Sequence, residues 1–471
     1  MPPSNTASAA AAHLRQARAQ ARAGFQSSPR PGTQPGAVRL EDLYAYMVMH
    51  NYIFAPTGDL WPAASVNARI APIVLRDYHG NPVLDADGNP VKVKAAAWLD
   101  QNKPVEQMTW APGELTVVRD RLITEGGWIE RKGAAVFNRY RPPLIEPGNA
   151  ALAQRWLDHI DKVYRDDTDH IVKWCAQRVQ QPHIKINHAL VFGGLQGIGK
   201  DTLLEPVKRA VGPWNVAEVN PQQLLDRFNG FVRSIILRVS EARDLGEVNR
   251  YHLYEHLKAY TAAPPDVLLC DEKNTKAYNV LNCCGVVLTT NHKAGGIYLP
   301  EDDRRHYVAW SERTKDDFVS DYWTSIWRWY DDGGDRHVAA YLAEYKLSKF
   351  DPKAPPPKTA AFWAIVDANR APEAGELADV LDKLAKGIPP EWPDAVTLLQ
   401  VLNKATGSFS EWLEDRRNRR TIPHRFEQCG YVPVRNDAAK DGLWVINKVR
   451  QVIYAKAALS PAQRLDAAQK L

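Results

Sequence analysis

Apolar and polar positions recur along this chain with two different periods, and the changes of period mark its parts. Between 150 and 186 the period is helical. Trp156, Ile160 and Val163 share one face, Ile171, Trp174, Cys175 and Val179 another, and Pro182 closes the second helix. From 187 to 312 short apolar runs alternate with amphipathic stretches, which predicts a parallel sheet with crossover helices. The aromatic stretch Tyr322–Tyr330 is expected to pack on this core from outside. Upstream, 38–149 reads as an α/β module. Glu41–His50 has helical spacing, and Gly-Asn-Pro-Val at 80–83 and again at 88–91 predicts turns between short strands. Asp85-Ala86-Asp87 runs straight into the second of these, so it reads as a polar turn and not as a pair of metal ligands.

The ends of the chain differ in character. Residues 1–37 contain no acid but carry Arg15, Arg18, Arg22 and Arg30. They read as a disordered basic tail, solvated or touching nucleic acid, in preference to a transit peptide. Residues 346–395 are rich in proline and alanine and read as a linker. Residues 396–471 form a small terminal module. Phe409–Arg420 and Ile422–Cys429 predict two helices, then 430–434 and 443–446 two strands around a charged loop, an order that resembles a winged helix.

Composition narrows the class. With 45% hydrophobic and 24% charged residues in 471, a disordered or fibrous chain is excluded. No apolar run approaches the roughly 18 residues of a membrane span. Five cysteines without a CxxC pair argue against a disulfide framework or zinc ribbon and fit a reducing compartment. The net charge of +5 conceals a gradient: Arg416–Lys456 holds ten basic residues against three acidic ones, more positive than the whole chain. Such a patch, with Arg416, Arg417, Arg419 and Arg420 at its start, is an electrostatic footprint for phosphate backbone, although a solvated basic face has the same composition.

The sharpest chemical signal is Ala189-Leu190-Val191-Phe192-Gly193-Gly194-Leu195-Gln196-Gly197-Ile198-Gly199-Lys200-Asp201-Thr202. An apolar strand enters a glycine-rich turn and a helix leaves it, the arrangement of a nucleoside-triphosphate loop. Gly194, Gly197 and Gly199 let the backbone wrap phosphates, and Lys200 sets a point charge on the outer ones. The position after the lysine, ordinarily Ser or Thr, is Asp201, with Thr202 next. A carboxylate is a good hard ligand, so either Asp201 binds Mg2+ directly or it caps the helix and Thr202 holds the metal. Pro206 removes a helix bond to the Thr202 carbonyl and should kink the helix.

Three further segments follow in order. The apolar run 231–239 leads to Glu241, placed to orient an attacking water. The run Gly285–Thr290 leads to Asn291, an amide able to sense a terminal phosphate. Then Arg304 and Arg305 precede another apolar strand and have the planar, permanent charge of an arginine finger, unless Asp302 and Asp303 pair with them locally.

Over about 110 residues this order of loop-lysine, strand-Glu, strand-Asn and Arg-Arg resembles the superfamily 3 helicase core, and 150–345 is similar to the helicase part of phage and prophage primase-helicases. The resemblance implies an AAA+-like P-loop α/β core using ATP and Mg2+, a homo-hexamer with its arginines acting in trans, and a basic hairpin that grips single-stranded DNA. Lys258, Lys273 and Lys276 are the candidates for that grip, with Asp271 and Glu272 beside the hairpin lysines. It further implies an ATP-driven helicase or translocase on single-stranded or forked DNA, cytoplasmic in a bacterial host, with priming left to a separate primase or polymerase. The alternative is a nucleotide-switched initiator or regulatory ATPase that binds DNA without unwinding it.

Overall fold

The computed structural model describes residues 38–240, 246–293, 296–368 and 372–471. Glu241 and the basic tail therefore lie outside the described residues. The chain folds as two compact units that divide between Ile365 and Val366.

The first unit opens with the N-terminal module. Strands β1 (Leu43–Tyr46), β2 (Asn51–Phe54), β3 (Asp59–Trp61) and β6 (Pro104–Val105) form one sheet, in the order β3-β2-β1-β6. Its core is Leu43, Ala45, Tyr52 and Val66 with Ala95 and Leu99, the last three from helices α1 (Ala63–Arg69) and α2 (Ala95–Asn102). The helix expected over Glu41–His50 is instead β1 and a turn. Tyr44 and Tyr46 suit a strand, and His50, at φ 51°, reverses the chain so that Leu43 pairs Phe54. A ribbon of β4 (Ile73–Val74) and β5 (Lys92–Val93) carries the repeated turns. Asp77 accepts from the amides of His79 and Asn81, and Asp85 likewise from Asp87 and Asn89, so Asp85-Ala86-Asp87 is a polar turn. A second sheet, β7 (Gln107–Thr109), β9 (Gly127–Asn138) and β8 (Val117–Thr124), leads into the core.

Helices α3 (Gln154–Tyr164) and α4 (Thr168–Gln180) bury the faces their spacing predicted. The central sheet has five parallel strands in the order β11 (Val216–Val219), β12 (Ile236–Val239), β15 (Gly285–Thr290), β10 (Ala189–Gly194), β16 (His306–Ser311). Residues 230–232 form a helical turn ahead of β12. The Ser234 hydroxyl closes it on the Phe231 carbonyl, which shortens the strand expected from 231. Helix α6 (Pro221–Leu225) lies between β11 and β12, and between β12 and β15 come α7 (Gly246–Thr261) and an antiparallel hairpin of β13 (Val267–Cys270) and β14 (Tyr278–Leu281). The expected linker is partly helical, with α10 (Ala360–Ala368) and α11 (Pro372–Leu384). Its prolines cluster at 352–357, ahead of the helical pattern.

In the second unit Leu377, Val380 and Leu381 of α11 pack into a core with Val396, Phe409, Phe426 and Tyr454. Its sheet is β17 (Ala395–Thr397), β21 (Ile453–Lys456) and β18 (Tyr431–Val434), antiparallel, flanked by α12 (Leu398–Leu402), α13 (Ser408–Glu414), α14 (Ile422–Gln428) and α15 (Pro461–Gln469). The two expected strands do not pair with each other. β18 pairs β21, while β19 (Trp444–Ile446) pairs β20 (Val449–Gln451) in a separate ribbon.

Helix α5 (Lys200–Val211) leaves β10 and runs without a break through Pro206. The bond that Pro206 cannot give the Thr202 carbonyl comes from the buried hydroxyl of Tyr330, at 3.0 Å. Tyr330 stands just after α8 (Tyr322–Trp329). The Trp156 indole N–H donates to the next carbonyl, Leu203, at 2.9 Å. A proline is thus accommodated because two aromatic side chains meet the carbonyls it disturbs. Tyr330→Phe keeps the ring and removes this donor. It should cost about 1–3 kcal/mol in urea unfolding, and unchanged stability would show that the Thr202 carbonyl does not depend on Tyr330.

Candidate nucleotide and nucleic-acid sites

All five strands of the central sheet run the same way, so their carboxyl ends share one edge. Gly193 pairs Thr290 and Val239 pairs Leu288, which brings the turn after β10 beside the segments that follow β12 and β15. Strands β11, β12 and β15 fill one side of β10 and β16 the other. Crevices outside carboxyl ends at such a reversal of strand order are where open α/β sheets take ligands.

The turn is built by close approach. Gly194, Gly197 and Gly199 have φ of 133°, 85° and 88°. A Cβ on Gly199 would come within 2.6 Å of His159 and Trp323, and one on Gly194 within 2.7 Å of Ile198 and 2.8 Å of the Ser311 carbonyl. The turn's carbonyls are met from outside: Tyr164 donates to Gly193 at 3.2 Å, and His159 Nε2 lies 3.1 Å from the Gly199 oxygen. Burial keeps His159 below the ordinary imidazole range. The neutral ring then carries its proton on Nε2, facing Gly199, and Nδ1 accepts from the Tyr322 hydroxyl at 2.8 Å.

Lys200 reaches back under the turn. Its ammonium donates to the carbonyls of Gly194 at 2.6 Å and Leu195 at 3.0 Å, and to Oδ1 of Asn291 at 2.6 Å. Burial pulls its pKa down to about 8, with Asp201 opposing and Arg238 adding to the shift. Asp201 does not cap the helix. The cap position is Gly199, and the Asp201 carboxylate pairs with Arg238 of β12, which also pairs Glu218. Thr202 is buried next to it. A cavity of about 390 Å³ is lined by Gln196–Thr202, Arg238, Thr289, Asn291, Trp323 and Trp327. Its oxygen donors, the Asp201 carboxylate and Thr202 hydroxyl, are the hard type that suits Mg2+. Among the described residues no cluster of three or more His, Cys, Asp or Glu could hold a metal by itself.

Arg304 and Arg305 lie at the other edge of the sheet. They precede β16, whose first residue, His306, pairs Ala189 at the start of β10. Five residue steps along the strand, roughly 17 Å, separate that point from the glycine turn, further than an arginine side chain reaches. Asp303 is otherwise engaged, accepting from Tyr254 at 2.9 Å, His306 at 3.1 Å and the Arg305 amide at 2.9 Å. Burial tends to raise its pKa, but the His306 imidazole and these bonds take it down to about 2. Among the described residues no ion pair joins Arg304 or Arg305 to Asp302 or Asp303.

At the β13–β14 hairpin the two acids are neutralised by arginines from elsewhere. Glu272 pairs Arg139 and Arg233, and Asp271 pairs Arg227. Burial opposes ionisation of Glu272, and Arg139 and Arg233 hold its pKa low. Lys273 and Lys276 are left exposed at the tip. Lys258 is apart from them in its bonding, paired with Glu255 on its own helix α7. In the second unit Arg416, Arg417, Arg419 and Arg420 fall in one helical turn, Arg416–Arg420, just ahead of α14, and Arg416, Arg419 and Arg420 are exposed. Other bases of that patch have acid partners: Arg425 with Glu373, Lys456 with Asp394, Arg450 with Asp441.

Arg238, Trp323 and Trp327 escaped the sequence reading. Arg238 is the one charged residue between Ile235 and Val239, and the two tryptophans stand four apart on one helix. Those were the available signals.

Residues 191–305 match the model of a family of unknown function, DUF5906. No curated protein matches the chain. Among solved structures, the apo C-terminal region (305–718) of NrS-1 is similar at 14% identity and a TM-score of 0.54, covering 90% of this chain and 100% of that one. The JCV helicase aligns at 11% identity and a TM-score of 0.31, over 49% of this chain and 65% of that one. A putative ATPase from Cytophaga hutchinsonii aligns at 11% identity and 0.25, over 49% and 68%. At such identities the likeness to the NrS-1 region is one of fold.

Proposed function

We propose that this chain is an ATP hydrolase of the DNA helicase or translocase type. The observation that carries the reading is the 2.6 Å bond between Lys200 and Asn291 at the carboxyl edge of β10 and β15. The lysine of a glycine turn and the amide of a neighbouring strand are already brought to one point, where an outer phosphate would lie. Gly194, Gly197 and Gly199 cradle the phosphates with backbone amides, and the start of α5 adds its dipole. Lys200 exchanges its carbonyl partners for phosphate oxygens, Asn291 senses the terminal phosphate, and Glu241 orients the water. Asp201 and Thr202 are the donors for Mg2+, which when bound neutralises phosphate charge. Arg238 competes for Asp201 and thereby sets how readily that carboxylate turns to the metal.

Arg304 and Arg305 serve the nucleotide of an adjacent subunit, because their own is out of reach. This favours a closed ring, a homo-hexamer on the family resemblance. The hairpin tip, with Lys273 and Lys276, contacts single-stranded or forked DNA, and its flanking acids do not cancel the charge. Lys258 contributes less, being bound to Glu255. The second unit, a helix-rich module with a strand ribbon, reads as a winged-helix-like DNA binder through Arg416, Arg417, Arg419 and Arg420.

Two measurements test this reading. The full chain should hydrolyse ATP faster with single-stranded DNA and displace a strand from a fork, and Lys200→Ala should lower the rate at least about a hundredfold, the scale lost with one transition-state contact. Hydrolysis at the original rate in Lys200→Ala would overturn the phosphate assignment, and DNA-stimulated hydrolysis without displacement would favour the initiator-like alternative. In mixed assemblies, Arg304→Ala/Arg305→Ala chains should recover part of their activity from Lys200→Ala chains, since each supplies what the other lacks. Mixed assemblies that form yet stay inactive would contradict action across the subunit boundary.

A further inference from the structure

The cavity beside the glycine turn has two unlike walls. Charged and hydrogen-bonding side chains come from the turn, β12 and the end of β15, whereas α8 contributes two indoles, Trp323 and Trp327. Trp323 is committed to the fold, packed so closely on Gly199 that no Cβ fits between them. Trp327 is not. One turn later on the same helix face, it lines the cavity yet is 39% exposed, and Tyr330 holds its ring edge-on at 5.8 Å. Gln196 to Gly199 of the turn and Lys200 of α5 line the same cavity.

A partly exposed indole lining the cavity beside the glycine turn is suited to a flat aromatic ligand. Resting on the nucleotide reading above, we propose that Trp327 is the stacking platform for the base of the bound nucleotide, and that the site takes purine nucleoside triphosphates as a class. Stacking is tolerant of base identity because every base has a π face, and purines offer the larger one. Telling adenine from guanine requires donors and acceptors aimed at the base edge. Among the described lining residues, the polar side chains lie on the turn, the start of α5, β12 and the end of β15, with only the indole N–H groups on the α8 wall. The phosphates therefore anchor the ligand, the indole orients it, and the base edge goes largely unread.

The experiment is a set of binding isotherms on the full chain with ATP, GTP, CTP, UTP and inorganic triphosphate, for the original protein, Trp327→Ala and Trp327→Phe. ATP and GTP should bind within about threefold of each other and more tightly than CTP and UTP. Trp327→Ala should weaken ATP and GTP about tenfold or more and leave inorganic triphosphate unchanged, and Trp327→Phe should restore most of the loss. Unchanged ATP affinity in Trp327→Ala, or a strong preference for ATP over GTP, would overturn the stacking proposal while leaving the phosphate site standing. Failure of the original chain to bind inorganic triphosphate would overturn both, and would mark the phosphate assignment as the fault. Equal loss of triphosphate and ATP in Trp327→Ala would show a structural role for the indole and also overturn the proposal.

Discussion

The ammonium of Lys200 ties the candidate site together. It bonds two carbonyls of the glycine turn and the amide of Asn291, so one charge joins the turn after β10 to the end of β15. All three donors of the ammonium are used, but each acceptor is a neutral dipole. Burial draws the lysine toward neutrality, and its nearest carboxylate, Asp201, is turned to Arg238. Among the described residues no carboxylate pairs with this cation, and a buried cation held by carbonyl dipoles is placed to accept an anion. The glycine φ values, the proton of His159 and the Tyr164 hydroxyl hold that turn in register, and Tyr330 supports the helix that follows it.

Around this point the sheet separates two tasks. Its carboxyl edge gathers Lys200, Asn291, Asp201 and Arg238, while its amino edge carries Arg304 and Arg305 about a strand's length away. Parallel strands enforce this polarity, since every β-to-helix turn falls on one side and every entry to a strand on the other. On the reading proposed above, the nucleotide would face one edge and Arg304 and Arg305 the other, which is why they are assigned to a neighbouring copy. The hairpin adds a third element. Its acids are drawn inward by Arg139, Arg233 and Arg227, leaving Lys273 and Lys276 at the tip.

Much of the core was legible because periodicity and glycine chemistry agree there. The strand–turn–helix at 189–211 and the helices at 154–180 follow from apolar spacing and turn residues, whereas the hairpin at 267–281 was implied by the family resemblance. Residues 43–50 were misread because Tyr44 and Tyr46 fit a helical face as well as a strand, and only pairing with β2 decides. Residues 372–384 were hidden behind the prolines that precede them. In the second unit the strands were found but not their partners, since β18 skips the ribbon to pair β21. Arg238 and the α8 tryptophans were invisible as site residues for a different reason. Their role depends on which strand ends and helix faces meet, and spacing along one segment does not carry that information.

The most direct test is the structure of the chain with a non-hydrolysable ATP analogue and Mg2+. Phosphate oxygens should lie within about 3 Å of Lys200 Nζ, with that nitrogen drawn off the Gly194 and Leu195 carbonyls, Asn291 facing the terminal phosphate, and Thr202 or a freed Asp201 on the metal. A nucleotide bound elsewhere, with Lys200 still on its carbonyls and Asp201 still on Arg238, would contradict the assignment of the site.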